Sequence, residues 1–113
     1  MADKQISFED FKKIDFRVGK VLKAENIEDA ESLIRLKVDF GVFGERSILS
    51  GIKKWYTPEE LEGKNYIFVF NLEPKKMMGE ESQGMIMAAE TEDGEKCVLL
   101  IPDKDIEAGT WVH

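Results

Sequence analysis

Cysteine is almost missing from this chain. Cys97 stands alone among 113 residues, so no internal disulfide can form, which suits a reducing compartment. Histidine is equally scarce: the single copy, His113, is the last residue, and chain ends rarely hold a catalytic geometry. One Cys and one His do not make a zinc site of the usual kind, and no phosphate-loop or dinucleotide fingerprint occurs. Neither a metal nor another cofactor is expected. No apolar run approaches the roughly 20 residues that span a bilayer. The opening Met1-Ala2-Asp3-Lys4-Gln5 lacks the apolar stretch of a secretory signal. These absences predict a cytoplasmic protein with no membrane contact.

An excess of positive charge is lacking too. Sixteen Lys and Arg against 23 Asp and Glu leave a net charge of −7, whereas nucleic-acid binders are usually basic. The charges are unevenly placed. Lys12, Lys13, Arg17, Lys20 and Lys23 face only Asp15 in their stretch, a local +4, and Arg35, Lys37, Arg46, Lys53 and Lys54 face Asp39 and Glu45, a local +3. Acid gathers at Glu25–Glu31, Glu59–Glu62 and Glu90–Glu107. A bipolar surface follows, and the local field governs phosphate attraction more than the total does.

What is present reads as short strands. At 113 residues, 42% of them hydrophobic, one domain covering 1–113 with a single core is expected. Ser7 caps a short amphipathic helix over 6–13, with Ile6, Phe8 and Phe11 as its apolar contacts. A strand follows from Asp15 to about Ala24, and Gly19 marks an expected bulge or bend. Ile34, Leu36, Val38 and Phe40 alternate with Arg35, Lys37 and Asp39, the cleanest two-residue period in the chain. Gly41 and Gly44 bracket a turn, and a third strand runs from Arg46 to Ser50. Thr57-Pro58-Glu59-Glu60 is a strong helix start that Gly63 soon ends. Tyr66–Leu72 reads as a central strand, and Met85–Ala89 with Cys97–Ile101 as a hairpin across Asp93-Gly94. Thr110–Val112 supplies an edge strand. Strand, strand, strand, short helix, strand, strand is the order of an all-β, five-stranded OB Greek-key barrel with an added N-terminal helix. An SH3-like barrel or a small α+β sheet fits the same pattern.

No nucleophile with its base, and no tuned acid pair, emerges from the residues, so no enzymatic activity is expected. Cys97, within Val-Leu-Leu-Ile, reads as an inert core residue. Trp55 reads as packing and Trp111 as a subunit contact. The segment Asn71–Met85 carries Pro74, Lys75, Lys76, Met77, Met78, Gly79, Ser82, Gln83 and Gly84. Two readings compete for it. One is a loop plugging a barrel mouth with Met77 or Met78; the other is a binding loop with lysines for phosphates and polar residues as hydrogen-bonding groups.

That segment resembles the signature of the tRNA-binding domain family. This family includes carboxyl-terminal domains of methionyl-tRNA synthetases and free-standing dimeric tRNA-binding proteins. Phe8–Val21, Leu36–Gly41, Ser50-Gly51-Ile52, Tyr56–Leu61 and Gly63-Lys64 are similar to the family's pattern in order and spacing. The resemblance implies an OB barrel that recognises tRNA by shape around its elbow, assists methionyl-tRNA synthetase, forms a homodimer and catalyses nothing. It implies Asn71, Lys75, Lys76, Ser82, Gln83, Gly84 and Met85 as the core of the RNA surface. Arg46, Lys53 and Lys54 are added on charge alone, while Arg17 is as well suited to a structural ion pair. Two departures remove positive charge: Asn26–Ser32 replaces a loop that carries a cation in the family, and Glu73 stands where a basic residue is usual. A related branch acts as secretion-linked chaperones, so a protein-binding module is the alternative function.

Overall fold

The structure is a computed structural model that describes residues 4–113, so the leader reading's Met1-Ala2-Asp3 lies outside the described residues. In chain order the elements are α1 (Phe8–Phe11), β1 (Phe16–Asn26), β2 (Ile34–Asp39), a 3-10 turn (Gly41–Phe43) and β3 (Glu45–Ser50). Then come α2 (Pro58–Leu61), β4 (Asn65–Val69), β5 (Lys75–Met77), β6 (Glu80–Ser82), β7 (Met85–Ile86), β8 (Ala88–Glu90), β9 (Cys97–Leu99) and β10 (Trp111–Val112). The main sheet runs β3-β2-β1-β4-β7, with β10 on β1, and curls into a nearly closed OB-like barrel.

The long β1 is the hinge of this arrangement. Residues 16–20 pair with β4, residues 20–26 pair with β2, and Phe16 and Arg17 also pair with β10. The two-residue period of β2 does what it foretells: Ile34, Leu36, Val38 and, just beyond it, Phe40 are fully buried. Around them Ile48, Leu61, Tyr66, Phe68, Ile86, Cys97 and Leu99 complete one core. Cys97 is buried as expected, and burial followed by the charge of Glu90 pushes its thiol upward. In α2, Glu60 turns back to accept from the Thr57 amide at 2.9 Å and the Thr57 hydroxyl at 3.1 Å, so the helix starts where its sequence says.

Three expectations are corrected. Gly19 is not a bulge; the register of β1 shifts instead between Val21 and Lys23. Gly19 serves close approach, because a Cβ there would stand 2.6 Å from Val38, 2.7 Å from Phe40 and 2.8 Å from Phe68. Those two rings meet edge to face at 5.3 Å over the bare backbone. The segment expected as a loop after Pro74 is a hairpin, β5 on β6, with Lys75 opposite Ser82 and Met77 opposite Glu80. Its turn residues Met78 and Gly79 have φ of 52° and 78°, the positive values that a two-residue turn between twisted strands requires. The fourth strand stops at Val69 rather than Leu72; the Phe70 amide still donates to the Asp15 carbonyl opposite it, and the pairing goes no further.

Candidate nucleic-acid interface

Barrel closure explains much of the Asn71–Met85 segment. The outer edge of β3 has no strand ladder beside it, and side chains from the end of β6 take its place. Ser82 Oγ accepts from the Leu49 amide at 3.0 Å and donates to the Gly84 carbonyl at 3.2 Å. Gln83 grips Ser47 at both backbone groups: its Oε1 accepts from the Ser47 amide at 3.0 Å and its amide donates to the Ser47 carbonyl at 2.9 Å. Gly84 follows with φ of 139°, and a Cβ there would meet Val69 O at 2.9 Å and Ile48 Cδ1 at 3.2 Å. Ser-Gln-Gly is therefore a seam. Asn71 has a similar task at the other end of the segment, accepting from the Asp15 amide at 2.9 Å and donating to the Lys13 carbonyl at 2.6 Å. It anchors the link between α1 and β1.

A second attachment fixes the hairpin on the barrel. Arg35 on β2 donates through Nε to Glu80 Oε1 at 2.7 Å and through a second nitrogen to the other carboxylate oxygen, while Glu25 takes its remaining arm at 2.8 Å. The two carboxylates hold Arg35 firmly protonated, and Arg35 in turn pulls Glu80 below the usual glutamate range. The fork geometry makes this a directional joint as well as a charge pair.

With the base of the hairpin fixed, Lys75 and Lys76 project into solvent. Among the described residues, neither meets a carboxylate within salt-bridge distance. Beside them lies an open groove of about 430 Å³ lined by Arg46, Phe70, Asn71, Glu73, Pro74 and Gln83, among others. Arg46 lies over the Phe70 ring, 3.5 Å from its centroid, and donates to the carbonyls of Phe70 and Gln83. Among the described residues no carboxylate lies within salt-bridge distance of it either, although Asp15 and Glu73 share the groove lining. A guanidinium packed on a ring offers its other face and remaining donors to a planar or anionic ligand.

The ten sequence candidates thus divide. Arg46, Asn71 and Gln83 line one groove with Pro74, the residue before Lys75, while Lys75 and Lys76 stand exposed on the hairpin that follows and Met85 is half exposed on β7. Ser82 and Gly84 are buried within it and hold the seam. Lys53 and Lys54 belong to other loops: Lys53 Nζ reaches Ala30 O at 3.5 Å, and Lys54 Nζ reaches Gly94 O at 3.4 Å. Arg17 forms the ion pair that its alternative reading named, with Asp15 at 2.8 Å. Phe70 escaped sequence reasoning, because nothing in an apolar run marks which ring will carry an arginine. Glu73 lines the groove as an acid, so the departure noted at that position falls on the candidate interface itself.

Among the described residues no helix is long and apolar enough to cross a membrane, and no group of His, Cys, Asp and Glu is arranged to hold a metal. Over 108 residues, 96% of this chain, the sequence is 55% identical to the methionine–tRNA ligase of Archaeoglobus fulgidus. It is 49% identical over 109 residues, again 96% of the chain, to the methionine–tRNA ligase of Pyrococcus furiosus. The chain spans only 16% and 14% of the lengths of those two proteins. Among solved structures, a MetRS-related protein from Pyrococcus horikoshii superposes with a TM-score of 0.91 at 47% identity, covering 97% of this chain and 99% of that one. Chaperone CsaA from Bacillus anthracis superposes at 0.88 with 34% identity, over 97% of this chain and 100% of its own. The sequence profile of the tRNA binding domain family matches residues 16–111, a span that takes in the seam, the hairpin and the Arg46 groove. The chain belongs to the tRNA binding domain family.

Proposed function

We propose that residues 1–113 form one non-catalytic module that binds tRNA by shape and backbone and assists a methionyl-tRNA synthetase, covalently or as a separate chain. The observation that carries this reading is the pair Lys75 and Lys76, two exposed cations on a hairpin fixed at its base, which like Arg46 have no carboxylate within salt-bridge distance among the described residues. Fixed geometry favours a folded target, since a rigid set of charges matches one arrangement of phosphates better than a fluctuating strand. The surrounding acid discourages indiscriminate contact. In this reading Ser82, Gln83, Gly84 and Asn71 shape the RNA surface from beneath, and Lys53 and Lys54 contribute at its margin. Gel-shift titration of folded tRNA, set against an unstructured single strand of equal length, tests the reading. Lys75→Glu with Lys76→Glu should weaken tRNA binding about 10- to 100-fold and flatten its salt dependence by about two units in log-log slope. Equal affinity for the unstructured strand discards shape recognition.

The likeness to CsaA, together with Met78 at 55% and Met85 at 50% exposure, favours one second reading, a protein-binding surface. Met78→Asp suits the positive φ of its site and should leave tRNA affinity nearly unchanged. If it abolishes binding to a partner while the lysine variants do not, the second reading stands.

We further propose a homodimer through an apolar cleft of about 320 Å³ between α1 and β10, lined by Phe8, Phe11, Ile14, Phe16, Trp111 and Val112. Phe8 is 70% exposed and Trp111 56%, so a contiguous apolar patch is left uncovered in a single chain.

A further inference from the structure

The two basic stretches of the sequence fold onto neighbouring strands. In the register of β1 against β2, Lys23 stands directly opposite Lys37, and Ser47 of β3 stands opposite Lys37 on its far side. Like charges facing each other across a sheet destabilise it, and strands are only about 4.8 Å apart. The pairing is also not what simple alternation would give. Val21 points into the core, so Lys23 two residues later would follow it inward. The register shift between Val21 and Lys23 lets Leu22 and Lys23 both face outward while Ala24 returns to the core. A bulge interrupts a ladder and is a recognised way to re-aim a side chain beside a binding site. Here it creates a like-charge pair.

The surroundings form a groove of about 450 Å³ over the outer face of β1, β2 and β3, which Lys23, Lys37, Arg46 and Ser47 line together with Glu25 and Glu45. Arg35 also borders it but is held by Glu25 and Glu80. Lys37 has Glu45 at 3.3 Å, a surface contact in which both side chains are at least half exposed, at 60% and 50%. Such a pair yields readily to a stronger anion. Lys23 and Arg46 have no carboxylate within salt-bridge distance among the described residues. Arg46 borders the groove beside the hairpin as well, so the two concave surfaces adjoin at this residue.

We infer that the Lys23–Lys37 pair is a phosphate clip, which holds a backbone phosphodiester of the bound RNA on the outer sheet face while the strand continues past Arg46 to the hairpin. This rests on the tRNA-binding reading. A phosphodiester chain fits better than a single acidic side chain, because its charges repeat along a path and the groove holds a further cation, Arg46, beyond the facing Lys23 and Lys37.

The test compares Lys23→Gln with Lys37→Gln against the unaltered protein, titrating folded tRNA at several salt concentrations. The expected result is weaker binding and a log-log salt slope reduced by about one, because the pair neutralises a single phosphate. Lys23→Arg with Lys37→Arg keeps the charges and should keep the slope. As a control, Lys64→Gln with Lys104→Gln removes the same charge beside Asp103 and Asp105 in a separate concavity, and should change the slope little. If the unaltered protein binds tRNA and the glutamine pair at 23 and 37 keeps the full slope, the clip is refuted and the hairpin reading survives. An equal loss from the control pair also refutes it. If the unaltered protein binds no tRNA even at low salt, the function proposal falls, and the clip with it.

Discussion

Ser82 illustrates how a residue type can point to one role and perform another. A serine between Glu81 and Gln83 in a lysine-bearing segment reads as a surface hydroxyl available to a ligand. Its hydroxyl instead lies 4% exposed, accepting from Leu49 and donating to Gly84, partners 33 and 2 residues away. Ser82→Ala leaves the Leu49 amide buried without an acceptor, a defect of about 1–3 kcal/mol. Urea unfolding monitored by circular dichroism should register that loss, and a change below about 0.5 kcal/mol would remove the seam from this account. Gln83 and Asn71 are illegible for the same reason as Ser82. Each binds backbone far away in sequence, and composition carries no information about which distant amide will be left free by the topology. The lysines differ. Lys75 and Lys76 look exposed in the sequence and are exposed, because a charged amine has little reason to be elsewhere.

Among the elements, β2 and α2 were the most legible, since each is specified by its own residues. Strict alternation commits β2 to one buried face, and Thr57, Pro58 and Glu60 fix the helix start locally. The β5–β6 hairpin looks like a loop in sequence because it has no apolar alternation and a Met-Gly turn in place of Asn-Gly or Asp-Gly. What holds it is tertiary: Glu80 on Arg35, and Ser82 on β3. Gly19 alone does not locate the bulge, because a glycine in a strand serves either a kink or a close approach, and the core rings decide which. The hairpin's attachment also predicts a pH response. Glu80 is pulled below its ordinary range by the Arg35 hydrogen bonds, so the folded protein favours its carboxylate form. Stability from this joint is therefore present above the unfolded glutamate range and is lost as pH falls through the lowered folded value. Carboxyl-resolved NMR should place the Glu80 midpoint below those of the exposed glutamates, with the amides of residues 75–82 shifting in step. A midpoint at or above theirs would show the joint to be absent in solution.

For the whole molecule, net charge and local field part company. A total of −7 coexists with cations at Lys23, Arg46, Lys75 and Lys76 that have no carboxylate within salt-bridge distance among the described residues, Lys23 and Arg46 lining one groove and Lys75 and Lys76 standing on the hairpin. Chain totals could not locate that groove, although the two basic stretches of the sequence are the strands that build it. Apolar exposure is equally local. Trp111 stacks on His113 at 4.0 Å, and much of its ring remains in water beside Phe8. Trp111→Glu places a charge in the proposed subunit contact and should convert a dimer to monomers by light scattering, with the barrel's circular dichroism preserved. An unchanged dimer would move the contact elsewhere on the surface.

A wall joined by one hydroxyl, one carboxamide and a single backbone amide, with no continuous ladder, has a particular weakness. The protons on the Ser47 and Leu49 nitrogens should trade with deuterated solvent whenever β6 lifts, whereas those of β2, locked on both flanks, await collapse of the entire core. A bound polynucleotide that presses the hairpin against the wall would slow that trade at two positions it never touches.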